Sequence, residues 1–216
     1  MQPTKTIVNA MLLGLVACTS ATAAAQTQYP TKPVKVMVGA SAGGGTDIVA
    51  RMLAEKFSDA FKQPFVVENR PGASNTIAAD VTAKAMQDGH TLLVATNTGQ
   101  AIAPHLIKLS FDPIKDLTPI ALVVTVPNVL VVNQQVGAKD AKDLVAMMKA
   151  RSSPFTYASS GVGSTQHLAG EGFKLATGAQ MTHVPYKGSS QAHLDLISGS
   201  VQMMFDTTSS AMGHIK

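Results

Sequence analysis

The chain of 216 residues has one cysteine, no tryptophan, 5% aromatic and 14% charged residues. Each shortage closes off a class of protein. With Cys18 alone no intrachain disulfide can form, so an oxidising compartment offers no covalent staple and stability must come from core burial. The six histidines show no metal-ligand spacing and have no cysteine to help them, so no metal and no cofactor is expected. The formal net charge is +4, but lysine and arginine are scattered. A nucleic-acid surface needs a clustered basic stripe, usually with stacking rings, and no such partner is expected. Past the N-terminus no run approaches the roughly 20 apolar residues of a membrane helix. The apolar region from Ile120 is broken by Pro127 and Asn128 and reads as paired strands.

What is present begins with an export signal. Lys5, the apolar core Ala10 to Ala17 and the small-residue stretch Ala21 to Ala25 read as a secretory signal over residues 1–25. Leu15-Val16-Ala17-Cys18 also resembles a bacterial lipobox, so the alternative to a periplasmic soluble chain is one lipid-anchored through Cys18. About 190 residues then remain, enough to bury a core without staples.

The remainder alternates strand and helix, the pattern of an α/β protein with parallel-rich sheets and flanking helices. Strands are expected at Val34 to Val38, Phe65 to Asn69, Thr91 to Thr96, Phe155 to Ser159, Thr182 to Tyr186 and Val201 to Asp206. Two apolar runs, Pro119 to Val126 and Val129 to Asn133, read as further strands. Helices are expected at Ile48 to Phe61, Thr76 to Met86, Ala141 to Arg151, Thr165 to Ala176 and Ser189 to Ile197, with a short one from Ile102 to Leu106. The first long helix shows a stripe at Ile48, Val49, Met52, Leu53, Phe57 and Phe61. Two sheets imply two lobes, residues 26–125 and 126–216, joined by structured strands that suit a stiff hinge. Met212 to Lys216 follow a strand without a closing helix, so both lobes read as truncated, and weak binding or poor folding is expected of the chain.

The most informative stretch is the first strand–turn–helix. Gly39 to Asp47 has almost no side-chain bulk, and Gly43, Gly44 and Gly45 exceed what a turn needs. Bare backbone leading into a helix points N–H groups at one place and favours an anion. Thr46 or Asp47 is placed to cap the helix. The spacing from Gly39 to Thr46 matches a P-loop except that Gly45 stands where lysine is required. A carboxylate therefore fits better than a nucleotide. The same turn, Gly39-Ala40-Ser41-Ala42-Gly43, matches G-x-S-x-G, with Asp206 and His214 following in hydrolase order. A secreted serine esterase is the alternative reading. Against it, the elbow strand opens the mature chain, which leaves no upstream loop for a second oxyanion donor.

Other strand ends carry donors as well. Ser159, Ser160, Gly161, Gly163, Ser164 and Thr165 form a second small, hydroxyl-rich junction, with Ser164 or Thr165 as helix cap. Thr96, Asn97 and Thr98 form a third. Tyr186, Lys187 and Gly188 end another strand, where Tyr186 could wall a pocket and Lys187 is a ligand contact or a solvated charge. Asp206 either meets a ligand or orients nearby donors. In open α/β sheets ligands bind outside the carboxyl ends of strands, where all of these lie. His167 reads as packed or solvated on its helix.

Several segments together resemble a known family. Tyr29 to Pro33, Gly43 to Asp47, Val67 to Gly72, Asp88 to Leu92, Tyr157 to Gly161 with Gly163-Ser164 and His167-Leu168, and His183 to Gly188 are similar to the tripartite tricarboxylate transporter receptors, or Bug proteins. The resemblance implies a monomeric periplasmic receptor of Venus-flytrap form. Such a receptor binds a small carboxylate through backbone amides and waters and delivers it to membrane permease subunits, without catalysis. Carried over by position, Gly43 to Asp47 with Thr96 to Thr98 would form the first-lobe anchor. Ser159 to Thr165, with Tyr186 to Gly188 and Asp206, would form the second. The family continues beyond the position of Lys216, and Ser41-Ala42 replaces a proline-containing start of the first turn.

Overall fold

The computed structural model describes residues 29–215, and those from Lys32 onward belong to one compact unit. The expected signal and Cys18 lie outside the described residues. The chain folds around two sheets. The first has strand order β2-β1-β3, built from β1 (Val34–Val38), β2 (Phe65–Asn69) and β3 (Thr91–Val94). All three are parallel, with Val34 opposite Phe65 and Lys35 opposite Thr91. β1 is central, so Val34, Val36, Met37 and Val38 are all buried while Lys35 points out. β3 stops two residues earlier than expected and is only half-buried, because it is an edge strand.

Helix α1 (Gly45–Phe61) starts earlier than the apolar stripe suggested. Gly44 is its N-cap, with no side-chain cap, so neither Thr46 nor Asp47 takes that place. The buried seam is Ala50 and Ala54, with Phe57 partly buried beside them, whereas Met52 is 63% exposed. Small side chains win the contact because they let the helix backbone approach the sheet closely; the bulky residues flank the seam. Phe57, Phe61 and Phe65 cluster at the far end, with centroids 5.3–6.2 Å apart. There Ser58 accepts the Phe65 N–H at 2.9 Å and ties helix to strand.

After β2 the chain turns through Gly72 and three non-glycine residues with positive φ, Ala73 (43°), Ser74 (55°) and Asn75 (69°). Helix α2 (Thr76–Ala83) is shorter than expected, ending before Met86. The residues after β3 wind into helical turns over Thr98–Ile102 and Ala103–His105, earlier than expected. The run from Pro119 to Val126 forms no strand: Ile120 and Leu122 are 81% and 87% exposed. Apolar composition there marks a surface without a ladder partner among the described residues.

The second sheet has order β4-β7-β5-β6, from β4 (Asn128–Val132), β5 (Phe155–Ser159), β6 (Met181–Pro185) and β7 (Met203–Thr207). β5 is parallel to β6 and β7, and β4 runs antiparallel to β7, not paired with the preceding apolar run. Helices α3 (Ala141–Ala150), α4 (Thr165–Thr177) and α5 (Ser189–Ser198) flank it. Leu144, Met148, Phe155, Tyr157 and Met203 fill one face, and Ala158, Ala192, Leu196 and Met204 the other. Asp140 and Ser164 cap α3 and α4 by accepting the Asp143 and His167 N–H groups. A short helical turn α6 (Thr208–Ala211) follows β7, where no helix was expected. Among the described residues no helix is long and apolar enough to cross a membrane.

Candidate functional site

The glycine-rich turn is held from within. The Asp47 carboxylate accepts from Gly43 N–H, Asn69 Nδ2 and Arg51 Nε, each at 2.9 Å. Burial opposes its ionisation, but these donors, with the Arg51 charge, hold its pKa below the usual carboxylate value. Asp47 therefore shapes the loop. Gly44 N–H turns back to Ser41 O at 3.2 Å. The loop also touches residues of the second sheet's side. Ser41 Oγ lies 2.9 Å from Ser190 Oγ. A β-carbon on Gly45 would sit 2.5 Å from both Ser209 Oγ and Thr207 Oγ1, and one on Gly188 would fall 2.0 Å from Ser41 Oγ. These glycines serve close approach between the two strand-end regions. Thr46 is half-buried at the helix start.

The left-handed turn Gly72–Asn75 is locked from behind by the other two strand ends. Asn75 Nδ2 donates to Thr96 Oγ1 at 3.1 Å. A β-carbon on Gly39 would lie 2.5 Å from Asn75 O, and one on Gly99 would lie 3.4 Å from the same atom. Thr96 thus supports this turn, with Thr98 buried and Asn97 exposed nearby. In front, Ser74 Oγ donates to Val162 O at 2.7 Å, reaching the second sheet's loop.

That loop runs from Ser159 to Ser164. Ser160 N–H donates to Gln166 Oε1 at 2.9 Å. Gln166 Nε2 donates in turn to Ser189 Oγ (3.0 Å) and Asp206 Oδ1 (2.7 Å). Asp206 is fully buried and also receives Ser189 Oγ (2.7 Å), His193 Nε2 (2.6 Å) and Ser210 Oγ (2.6 Å). Burial pushes its pKa up, yet the His193, Ser210 and Ser189 bonds outweigh it and keep the carboxyl below its usual value. One carboxylate thereby ties together β7 and the starts of α4, α5 and α6. Tyr186 donates its hydroxyl to Asp195 Oδ2 at 2.5 Å. Burial and that acceptor push its pKa up to about 12, so it is a neutral wall.

Between the loops lies a cleft of about 590 Å³. One wall is Gly72–Asn75; the other is Ser160–Val162 and Pro185–Lys187 with Gln191. Four expected residues line it: Ser160, Gly161, Tyr186 and Lys187. Gly43, Gly44, Gly45, Thr46, Asp47, Thr96, Asn97 and Thr98 are not in its lining, nor are Ser159, Gly163, Ser164, Thr165, Gly188 and Asp206. Several of these brace the lining loops instead. Sequence reading missed Gly72–Asn75 as a candidate wall, placing Gly72 only in the family-like segment Val67 to Gly72. The rule that strand ends carry ligands would have found it, since the turn follows β2. Gln191 and Gln166 had no signal, because a helical glutamine looks the same whether it is buried or solvated.

The esterase arrangement is not assembled. Asp206 pairs with His193, not His214, whose ring lies 4.7 Å from the His193 ring. Ser41 bonds to Ser190.

Two α/β sheets whose strand-end loops face each other across a cleft define a two-lobed periplasmic-binding-protein fold. The chain belongs to the family described as the tripartite tricarboxylate transporter family receptor, whose profile matches residues 49–216. It is 38% identical over 194 residues to Protein BugT of Bordetella pertussis, covering 87% of this chain and 58% of that one. Among solved structures it is similar to R. palustris Rpa4515 with adipate: 35% identity, TM-score 0.83, 86% of this chain and 62% of that chain. It is also similar to MatC from Rhodopseudomonas palustris with bound malate: 32% identity, TM-score 0.78, 86% and 63%. The chain thus spans about three fifths of the length of these relatives.

Proposed function

We propose that the protein is a periplasmic receptor that captures a small carboxylate in the cleft and hands it, unchanged, to membrane permease subunits of a tripartite tricarboxylate transporter. The observation that carries this reading is the make-up of the cleft. Its walls are backbone turns and hydroxyls from both sheets, with Lys187 as its cation and no carboxylate among the described lining residues. An acid leaving water needs several donors at once. Each charge-assisted bond contributes about 1.5–3 kcal/mol net, so a handful suffices for micromolar binding after ordering costs. The two lobes, residues 26–125 and 126–216, would close on the ligand by a hinge motion driven by contacts made only in the closed form. Adipate and malate in the solved relatives favour a dicarboxylate.

The test is a thermal-shift screen of the full-length protein against mono-, di- and tricarboxylates, with nucleotides and neutral sugars as controls. A carboxylate is expected to raise the melting temperature. Stabilisation by the controls and by no acid would overturn the reading.

A further inference from the structure

Two histidines behind the cleft have no part in the reading above. His167 stands on α4 and His183 on β6, with rings face to face, centroids 4.0 Å apart and planes 20° from parallel. Tyr157 of β5, opposite His183 in the ladder, continues the stack at 4.9 Å. Each imidazole holds one end of the cleft loop. His183 Nε2 meets Ser159 Oγ at 2.7 Å. His167 Nδ1 meets Gly163 N–H at 3.1 Å. Between these anchors lie Ser160, Gly161 and Val162, the second-sheet loop of the cleft wall.

The geometry sets the protonation state. A ring nitrogen that accepts an N–H carries no proton, so Nδ1 is the bare nitrogen of the His167 ring here. A proton on Nδ1 would turn the acceptor into a donor facing the Gly163 N–H, and the bond would be lost. Two imidazolium rings one ring thickness apart repel, so the stack accommodates at most one charge. The other titratable groups facing the pair are Tyr157, which donates to Glu171 Oε1 at 2.6 Å, and Glu171 itself, with Lys174 at 3.4 Å from its second oxygen. Glu171 is thus the available counter-charge. Burial, and then the neighbouring His167, bring His183 down to about 4, with Glu171 partly opposing them.

We propose that His167 and His183 are positioning residues, which hold the Ser160–Val162 loop in its binding shape only while the His167 ring is neutral, so that a proton taken up by His167 loosens the loop and weakens retention of an acid ligand. The ligand half rests on the receptor reading above; the loop half stands without it. The stack thereby couples the cleft to the acidity of its surroundings.

The test follows the imidazole nitrogens and the Gly163 amide of the ¹⁵N-labelled chain by NMR from about pH 8 to about pH 4. At the neutral end His167 is expected as the Nε2–H tautomer, and the Gly163 amide should shift with the midpoint of the His167 ring. His167→Asn keeps an acceptor near the Nδ1 position but cannot titrate, so its Gly163 amide should stay still. Adipate affinity, measured across the same range, should fall about tenfold more in the parent than in H167N. The ligand's own protonation is common to both. A Gly163 amide that ignores the His167 titration, or an H167N variant with the parent's pH profile, would overturn the proposal. If H167N does not fold, the parent's co-titration decides alone. If adipate binds at no pH, that arm counts against the receptor reading, and the amide titration still decides the loop coupling.

Discussion

At the scale of single residues, the second sheet's loops depend on Asp206. Its four donors come from Gln166, Ser189, His193 and Ser210. Asp206→Ala takes their shared acceptor from these buried donors and should lower the free energy of unfolding by about 3–5 kcal/mol, read from urea titrations. The acid dependence has a definite sign. The native carboxyl has a depressed pKa, so its stabilisation is complete above the ordinary carboxylate range near about 4 and is lost as pH falls through the native value. Asp206→Asn should therefore flatten the fall in urea midpoint below about pH 4. Sequence reading could place Asp206 at a strand end, because the apolar run before it is clear. It could not tell which way the carboxylate faces. That direction is set by Gln166, far away in the chain, and by His193 one helix earlier. Asp47 is the same case: its place beside the glycine turn was legible, but its inward bonds to Arg51 and Asn69 were not.

At the scale of elements, helix packing makes sharp predictions about two glycines of α4. A β-carbon on Gly170 would fall 2.2 Å from Tyr157 Cε2. That ring is fully buried, stacked on His183 and bonded to Glu171, so it has nowhere to go. Gly170→Ala should cost about 1–3 kcal/mol despite the better helix propensity of alanine. Gly172, one turn face away, meets nothing within 4 Å. Gly172→Ala should stabilise by up to about 1 kcal/mol. Paired thermal melts of the two variants check both signs. The parallel strands were legible because Val34 to Val38, Phe65 to Asn69 and Phe155 to Ser159 are compact apolar runs bounded by turn residues. The face of α1 was not, because periodicity weighs large side chains and the seam is made of Ala50 and Ala54. Pro119 to Val126 failed for another reason: an apolar run signals burial, but a strand also needs a neighbour with which to pair.

At the scale of the whole molecule, side chains from the first sheet's side reach the Ser159–Ser164 loop. Ser74 Oγ reaches Val162 O, and a β-carbon on Gly163 would fall 2.4 Å from Leu106 Cδ1, so the same loop is held at two points from the first sheet's side. Ser74→Ala removes one of them and leaves Val162 O without its partner, a loss of about 1 kcal/mol. The variant should show a larger mean separation between spin labels on Glu55 and Lys142 than the parent; an unaltered distance would show that the bond does not hold the halves together. The alanine seam of α1 also bears on this joint. Because Ala50 and Ala54 set how far the helix stands from β1, they also set where Gly45 meets Thr207 and Ser209. A single added methyl group at Ala50 or Ala54 would therefore be felt where Gly45 meets Thr207 and Ser209, away from the place where it was introduced.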